Sequence, residues 1–238
     1  MSEWTPKRFW KAADVVEVSG GFAVTLDGRN VKTPAKTALV VPTRELAQAI
    51  AEEWQAQEDK VDPATMPFTR MSNSALDKVA TQFAEVAEML AAYGDADLLC
   101  YRAESPATLV ERQNERWNPF LDWATQNLGV RLETRSGLMH AAQDPAALAV
   151  LTTKVHQLTP FQLAAFHDLV SLTGSLILGF AATYPEFDIE TLWDLSRLDE
   201  NWQEEQWGPD DEATALANRK KGDLVFAARF YQLATKVA

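Results

Sequence analysis

Positions 1–42 read as β, with period-two alternation at 22–26, and helical spacing marks most of the remaining chain. Val15 to Val18 form a short β-branched run that ends at Gly20-Gly21. Phe22, Val24 and Leu26 then alternate with Ala23 and Thr25. Asp27-Gly28 is a hairpin signal that lets residues 30–33 return, and Leu39-Val40-Val41 reads as a further short strand. Thr43 is placed to N-cap a helix whose apolar face is Leu46, Ile50 and Trp54. Segment 59–69 holds Pro63 and Pro67 with little periodicity and reads as a linker or crossover. Beyond it the spacing predicts a helix over 72–93 that stops near Gly94. A second opens at Ser105-Pro106, with Ser105 as N-cap and Pro106 in the first turn. It runs to Leu128, kinked at Pro119 and closed by Gly129. Asp144-Pro145 and Thr159-Pro160 open two more. The latter leads into LVSLTGSLILGFAA, apolar all round and so the expected buried central helix. Asp188 caps an acidic helix, and a last helix covers 211–235. This order predicts an α+β fold, with a small α+β domain over 1–68 followed by a larger, mainly α-helical domain over 69–238.

Charge changes the picture at one place. From Tyr184 to Glu212 there are eleven carboxylates against one basic residue, Arg197, a net of −10 in a chain whose total is −12. Trp193, Trp202 and Trp207 lie in the same stretch. Charge this concentrated repels itself and weakens the compact state. It is either a solvated helix face over core tryptophans or a partner-binding surface, where tryptophan is enriched. Glu205 closes an apolar stripe of Leu195, Leu198 and Trp202. It faces either water at a helix end or a partner's cation, ringed by Trp202 and Trp207. The acidic balance argues against nucleic acid, whose binders carry a basic patch, and against anionic lipid.

The single cysteine, Cys100, allows no disulfide within the chain and suits a reducing compartment. The N-terminus shows no apolar signal core, and the longest apolar stretch, 169–182, falls short of the ~20 residues a membrane span needs. A cytoplasmic protein or a processed matrix-type form is expected, without membrane insertion and as a monomer.

Signatures of catalysis are missing. GxGxxG, GxxxxGK[ST] and GxSxG do not occur, and His140, His156 and His167 lack HExxH spacing and read as surface or core histidines. No thiolate zinc site can form around one cysteine. Glu200 and Glu204 share a helix face, but one helix alone does not build a metal site. An acidic-site hydrolase using Glu200, Glu204 or Glu205 with His167 would need those side chains to converge in one pocket. A separate constellation, Asp97, Tyr101 and Arg102 in DLLCYR, sits between two helices. It reads as a buried connection, with Arg102 paired to a carboxylate.

Several stretches match one family: RFWK (8–11), LDGRNVKTP (26–34), AIAEEWQAQ (49–57), DPATMPFTRMSNSALD (62–77), DLLCYRAESP (97–106), QNERWNPFLDW (113–123) and QEEQWGPDDEA (203–213). In this order the chain resembles the F-type ATP synthase assembly chaperones, of mitochondrial and alphaproteobacterial type, that escort the α subunit of the soluble catalytic head. The resemblance implies a non-enzyme without cofactor or metal. Such a chaperone binds unassembled α subunit on surface that later faces a β subunit. It acts in the bacterial cytoplasm, or in the mitochondrial matrix for eukaryotic relatives. The family's acidic C-terminal motif carries over to Glu200, Gln203, Glu205, Trp207 and Gly208, with Trp202 beside it. Glu204 stands where a hydrophobic residue is expected, which leaves Glu200 and Glu205 both open as the key carboxylate. Two other readings remain on the residues alone, the acidic-site hydrolase and an acidic adaptor for another basic protein.

Overall fold

The computed structural model describes residues 7–137 and 139–235. They fall into two compact units. One takes the described residues of Met1–Phe83, Thr159–Ala165 and Phe230–Ala238; the other takes those of Ala84–Leu158 and Phe166–Arg229. The fold is α+β, with a small sheet and a helical remainder.

In the first unit, β1 (Ala13–Val18) pairs antiparallel with β2 (Gly21–Leu26), Val15 opposite Val24. Asp27 and Gly28 then turn the chain into β3 (Arg29–Asn30), both at positive φ, 47° and 80°. That is the left-handed pair a two-residue hairpin turn requires. β4 (Val40–Val41) also pairs with β2, which is therefore central. Burial in β2 departs from one-sided alternation: Ala23, Val24, Thr25 and Leu26 are all buried. α1 (Arg44–Gln55) begins as the sequence implies, the Thr43 hydroxyl oxygen accepting the Leu46 N–H at 3.2 Å. It buries Leu46, Ala47, Ile50 and Ala51, and also Glu53.

Segment 59–69 is not a linker. Asp62 caps a 3-10 turn at Pro63–Thr65, and Pro67 opens α2 (Pro67–Ser74), so both prolines serve as helix starters. Glu53 completes this start. Its carboxylate accepts the N–H groups of Phe68 at 2.6 Å and Thr69 at 2.8 Å, and the Thr69 hydroxyl at 2.7 Å. The helix expected over 72–93 is also interrupted. α2 passes into a π turn at Ala75–Val79, where the Thr81 hydroxyl donates to the Lys78 carbonyl at 2.8 Å, and α3 (Phe83–Ala91) comes next.

In the second unit a short parallel pair, β5 (Tyr101–Arg102) and β6 (Arg135–Ser136), lies in a region whose pattern reads as helical throughout. α4 (Ala107–Asn127) starts one residue later than expected, with Pro106 itself at the N-cap, and stays helical through Pro119. α5 (Pro145–His156) is capped by Asp144 as expected. The apolar central helix is two helices, α6 (Pro160–Thr173) and α7 (Leu176–Ala181). Gly174 at φ 67° ends the first, and the Ser175 hydroxyl oxygen caps the second by accepting the Leu178 N–H at 3.0 Å. α7 is wholly buried. The acidic helix is likewise divided into α8 (Ile189–Ser196), capped by Asp188, and α9 (Leu198–Trp207), with Arg197 out of helical geometry between them. α10 (Asp211–Ala234) is the last helix of the described chain. Among the described residues no helix is long and apolar enough to cross a membrane.

The thiol of Cys100 is buried, and desolvation pushes its pKa up to about 12. That removes the nucleophilic thiolate at neutral pH. Native protein is expected to resist a thiol-specific chromogenic reagent and to react fully once unfolded in guanidinium. Rapid labelling of native protein would contradict this environment.

Candidate functional site

α9 carries two faces with different surroundings. Glu200, Gln203, Glu204 and Trp207 recur at i, i+3, i+4 and i+7 and so share one side of the helix. They line a groove of about 360 Å³ together with Gly208, Leu216 and Lys220. Trp207 is 79 % exposed and Leu216 47 %, two large apolar side chains offered to solvent at one place. Gly208 ends α9 at φ 86° while its N–H still reaches the Glu204 carbonyl at 2.8 Å. Asp210 then starts α10 by accepting the Ala213 N–H at 2.8 Å. This sharp turn brings α9 and α10 together along the groove. Arg197, stacked 5.7 Å from the Trp193 ring, lies 3.4 Å from Glu204 and 3.9 Å from Glu200. It therefore offsets part of the acidic charge.

Trp202 and Glu205 belong to the other face. Both Glu205 oxygens lie 2.8 Å from Arg112 Nη1, and the Arg112 guanidinium stacks 4.7 Å over the Trp202 ring. The Arg112 hydrogen bond holds the Glu205 carboxyl below the usual glutamate range. Glu205 is thus exposed to water at the helix end and paired there with a cation of its own chain. Of the two candidate carboxylates, Glu200 and Glu205, both exposed, Glu200 is the one that lines the groove.

α4 supplies the rest of the support. Gln113 is buried; its Nε2 donates to Asp199 at 2.7 Å and its Oε1 accepts the Ala103 N–H at 2.8 Å. Trp117 Nε1 donates to the Leu195 carbonyl at 2.9 Å, closing α4 against the end of α8. Arg102 is buried against the same helix. It donates to the Leu99 carbonyl at 3.0 Å, Asn114 Oδ1 at 3.1 Å and Asn118 Oδ1 at 2.9 Å, and stacks 5.2 Å from the Trp117 ring. Amide oxygens, and not the expected carboxylate, hold this guanidinium. Asp97 is fully buried and Tyr101 half-buried, so the DLLCYR stretch faces inward. Sequence reading missed Arg112, Gln113 and Asn114. The usable signal was the i, i+4 spacing of Gln113 with Trp117 and of Asn114 with Asn118, which gives α4 two adjacent bonding ridges.

The groove lining contains no histidine. His167 bonds through Nδ1 to its neighbour Asp168 at 2.9 Å, which raises its pKa. The convergence that a hydrolase of Glu200 and His167 needs is therefore not seen in the groove. Among the described residues no group of three or more His, Cys, Asp or Glu side chains is arranged to hold a metal ion.

The family model for ATP12 chaperone protein matches residues 7–125, and Atp12 from Paracoccus denitrificans has the same fold over 98 % of this chain and all of its own, at TM-score 0.94 and 47 % identity. The chain belongs to the ATP12 chaperone family. A variant of Paracoccus denitrificans Atp12p with one aspartate changed to lysine is similar to the same degree, at TM-score 0.95 and 46 % identity, over 98 % of this chain and 100 % of that one. Mitochondrial protein atp12 of Schizosaccharomyces pombe is 28 % identical, over 89 % of this chain and 77 % of its own length. The ATP12 family match ends inside α4. The groove of α9 and α10 lies beyond it, in the part covered by the whole-chain structural similarity.

Proposed function

We propose that this ATP12-family chain is an assembly chaperone for the soluble catalytic head of ATP synthase, acting without catalysis in the bacterial cytoplasm. It binds unassembled α subunit and shields the surface that later meets a β subunit. The observation that carries this reading is the groove of α9 and α10, where exposed Trp207 and Leu216 lie beside Glu200, Glu204 and Asp210. Tryptophan anchors beside charge suit a client segment that is apolar with cationic flanks, since interface energy concentrates in such anchors and complementary charge selects the partner. The assignment of the client to the α subunit rests on the family resemblance of the quoted motifs.

The test is capture of separately expressed α subunit by the tagged chain. Trp207→Ala and Glu200→Lys are each expected to weaken capture by more than about tenfold, the effect of losing an interface anchor. Glu205→Lys, on the Arg112 face, is expected to weaken it less. Capture that resists moderate salt separates a selective chaperone from an acidic adaptor, whose binding would fall steeply as charge is screened. Failure of folded wild-type protein to capture soluble α subunit would end the reading.

A further inference from the structure

A pocket in the sheet-bearing unit has the opposite chemistry to the groove. Its aromatic wall is Phe9, Trp10 and Trp54, and its rim carries Lys7, Arg29 and Lys32. Trp10 and Trp54 meet edge to face with ring centroids 5.2 Å apart, and Phe9 stands edge-on to Trp10 at 5.2 Å. Phe9 is 67 % exposed although it sits against this cluster. Among the described residues that line the pocket none is a carboxylate, in a chain with 34 acidic and 22 basic residues. Lys7, Arg29 and Lys32 are exposed, and among the described residues none lies within ion-pairing distance of an acid. Asp27, near Arg29, is already engaged. Its carboxylate accepts the Ala12 N–H at 3.0 Å and the Lys11 N–H at 3.1 Å.

One further fact narrows the occupant. The pocket volume is about 240 Å³. Whole small-molecule sites run from roughly 300 to 1,000 Å³, so this one suits a single bulky side chain.

We propose that this pocket is a second docking site, distinct from the α9 and α10 groove, for an acidic peptide segment of a protein partner. One bulky apolar side chain of the segment inserts against Phe9, Trp10 and Trp54. Carboxylates flanking that side chain pair with Lys7, Arg29 and Lys32. The site adds to the protein a surface selective for negative charge, while the groove selects for positive charge.

Fluorescence anisotropy of a labelled peptide, glutamates around a central phenylalanine, titrated with the full chain, tests this. Saturable binding that weakens with salt is expected. Changing the phenylalanine to alanine, or combining Arg29→Glu with Lys32→Glu in the protein, should each weaken binding more than about tenfold. A peptide with lysines in place of the glutamates should not bind. Because Arg29 and Lys32 are exposed and unpaired, the double variant is expected to keep the wild-type circular dichroism spectrum, and Phe9→Ser provides an independent variant. Trp207→Ala should bind the peptide as wild type does, so failure of this site and of the groove are read separately. Absence of saturable binding, equal binding by the charge-reversed protein, or equal binding of the alanine peptide would overturn the proposal. So would Arg29- and Lys32-dependent binding to phosphatidylserine vesicles, or self-association, in place of peptide binding.

Discussion

Asp97→Ala is expected to lower the unfolding free energy by about 4 kcal/mol, the effect of leaving several buried donors unmet. The Asp97 carboxylate is fully buried and accepts three hydrogen bonds. Oδ1 takes the Leu99 N–H at 3.0 Å and the Ser175 hydroxyl at 2.7 Å, and Oδ2 takes the Ile177 N–H at 3.0 Å. These bonds tie the turn before β5 to the start of α7, the wholly buried helix of the second unit. Most domains hold a margin of only 5–15 kcal/mol, so a loss of this size is severe. A pH series adds a second readout. Burial raises the Asp97 pKa, and the hydrogen bonds from Ile177, Ser175 and Leu99 oppose that rise without cancelling it. The folded state therefore holds the proton more tightly than the unfolded state. Its contribution to stability is complete below the unfolded value, about 3.9, and declines as pH rises through the raised folded value. Asp97→Asn cannot ionise and lacks that decline. Its deficit against wild type should be largest in acid and narrow as pH rises, measured by urea unfolding from about pH 4 upward. A deficit that widens with pH would mean that the donors favour the charged form and would refute the assigned direction.

What could be read from the sequence was what neighbouring residues decide among themselves. Thr43, Asp144 and Asp188 cap helices because each side chain needs to reach only an N–H two or three residues on. Asp27-Gly28 turns because its own backbone preferences suffice. The interruptions were harder. Gly174-Ser175 lies inside an apolar run whose hydrophobicity alone argues for one continuous helix, and the local break at Gly174 and the Ser175 cap is reinforced by Asp97, far off in sequence, which accepts from Ser175 and Ile177. Arg197 divides the acidic helix although its side-chain partners, Trp193, Glu200 and Glu204, are all near in sequence. Once α9 starts at Leu198, the shared face of Glu200, Gln203, Glu204 and Trp207 is fixed by helical spacing, and the candidate site becomes legible. The setting of Glu205 did not, because its partner Arg112 lies 93 residues away and no local pattern links them.

Glu53→Ala is expected to lower stability by about 3 kcal/mol, through the same physics at a helix start. The first turn of any helix has N–H groups without intrahelical acceptors. At α2 the Pro67 nitrogen carries no hydrogen and Met66 at the N-cap gives no side-chain bond, so the N–H groups of Phe68 and Thr69 depend on an acceptor from elsewhere. Glu53, projecting from α1, provides it, and the Thr69 hydroxyl donates to the same carboxylate. Burial raises the Glu53 pKa against the lowering effect of the Thr69 and Phe68 bonds. The contribution is therefore complete below the unfolded value, about 4.3, and diminishes as pH rises through the folded one. Glu53→Gln keeps the volume and one acceptor oxygen but turns an NH2 group toward the donors, so about half the loss is expected. Hydrogen exchange gives the local signature. In Glu53→Ala the amides of Phe68 and Thr69 should exchange faster by a larger factor than those in the middle of α1, because the helix start opens before the sheet does. Uniform acceleration across both helices would assign Glu53 a packing role in α1 instead, and wild-type stability of both variants would remove it from the folding of this unit.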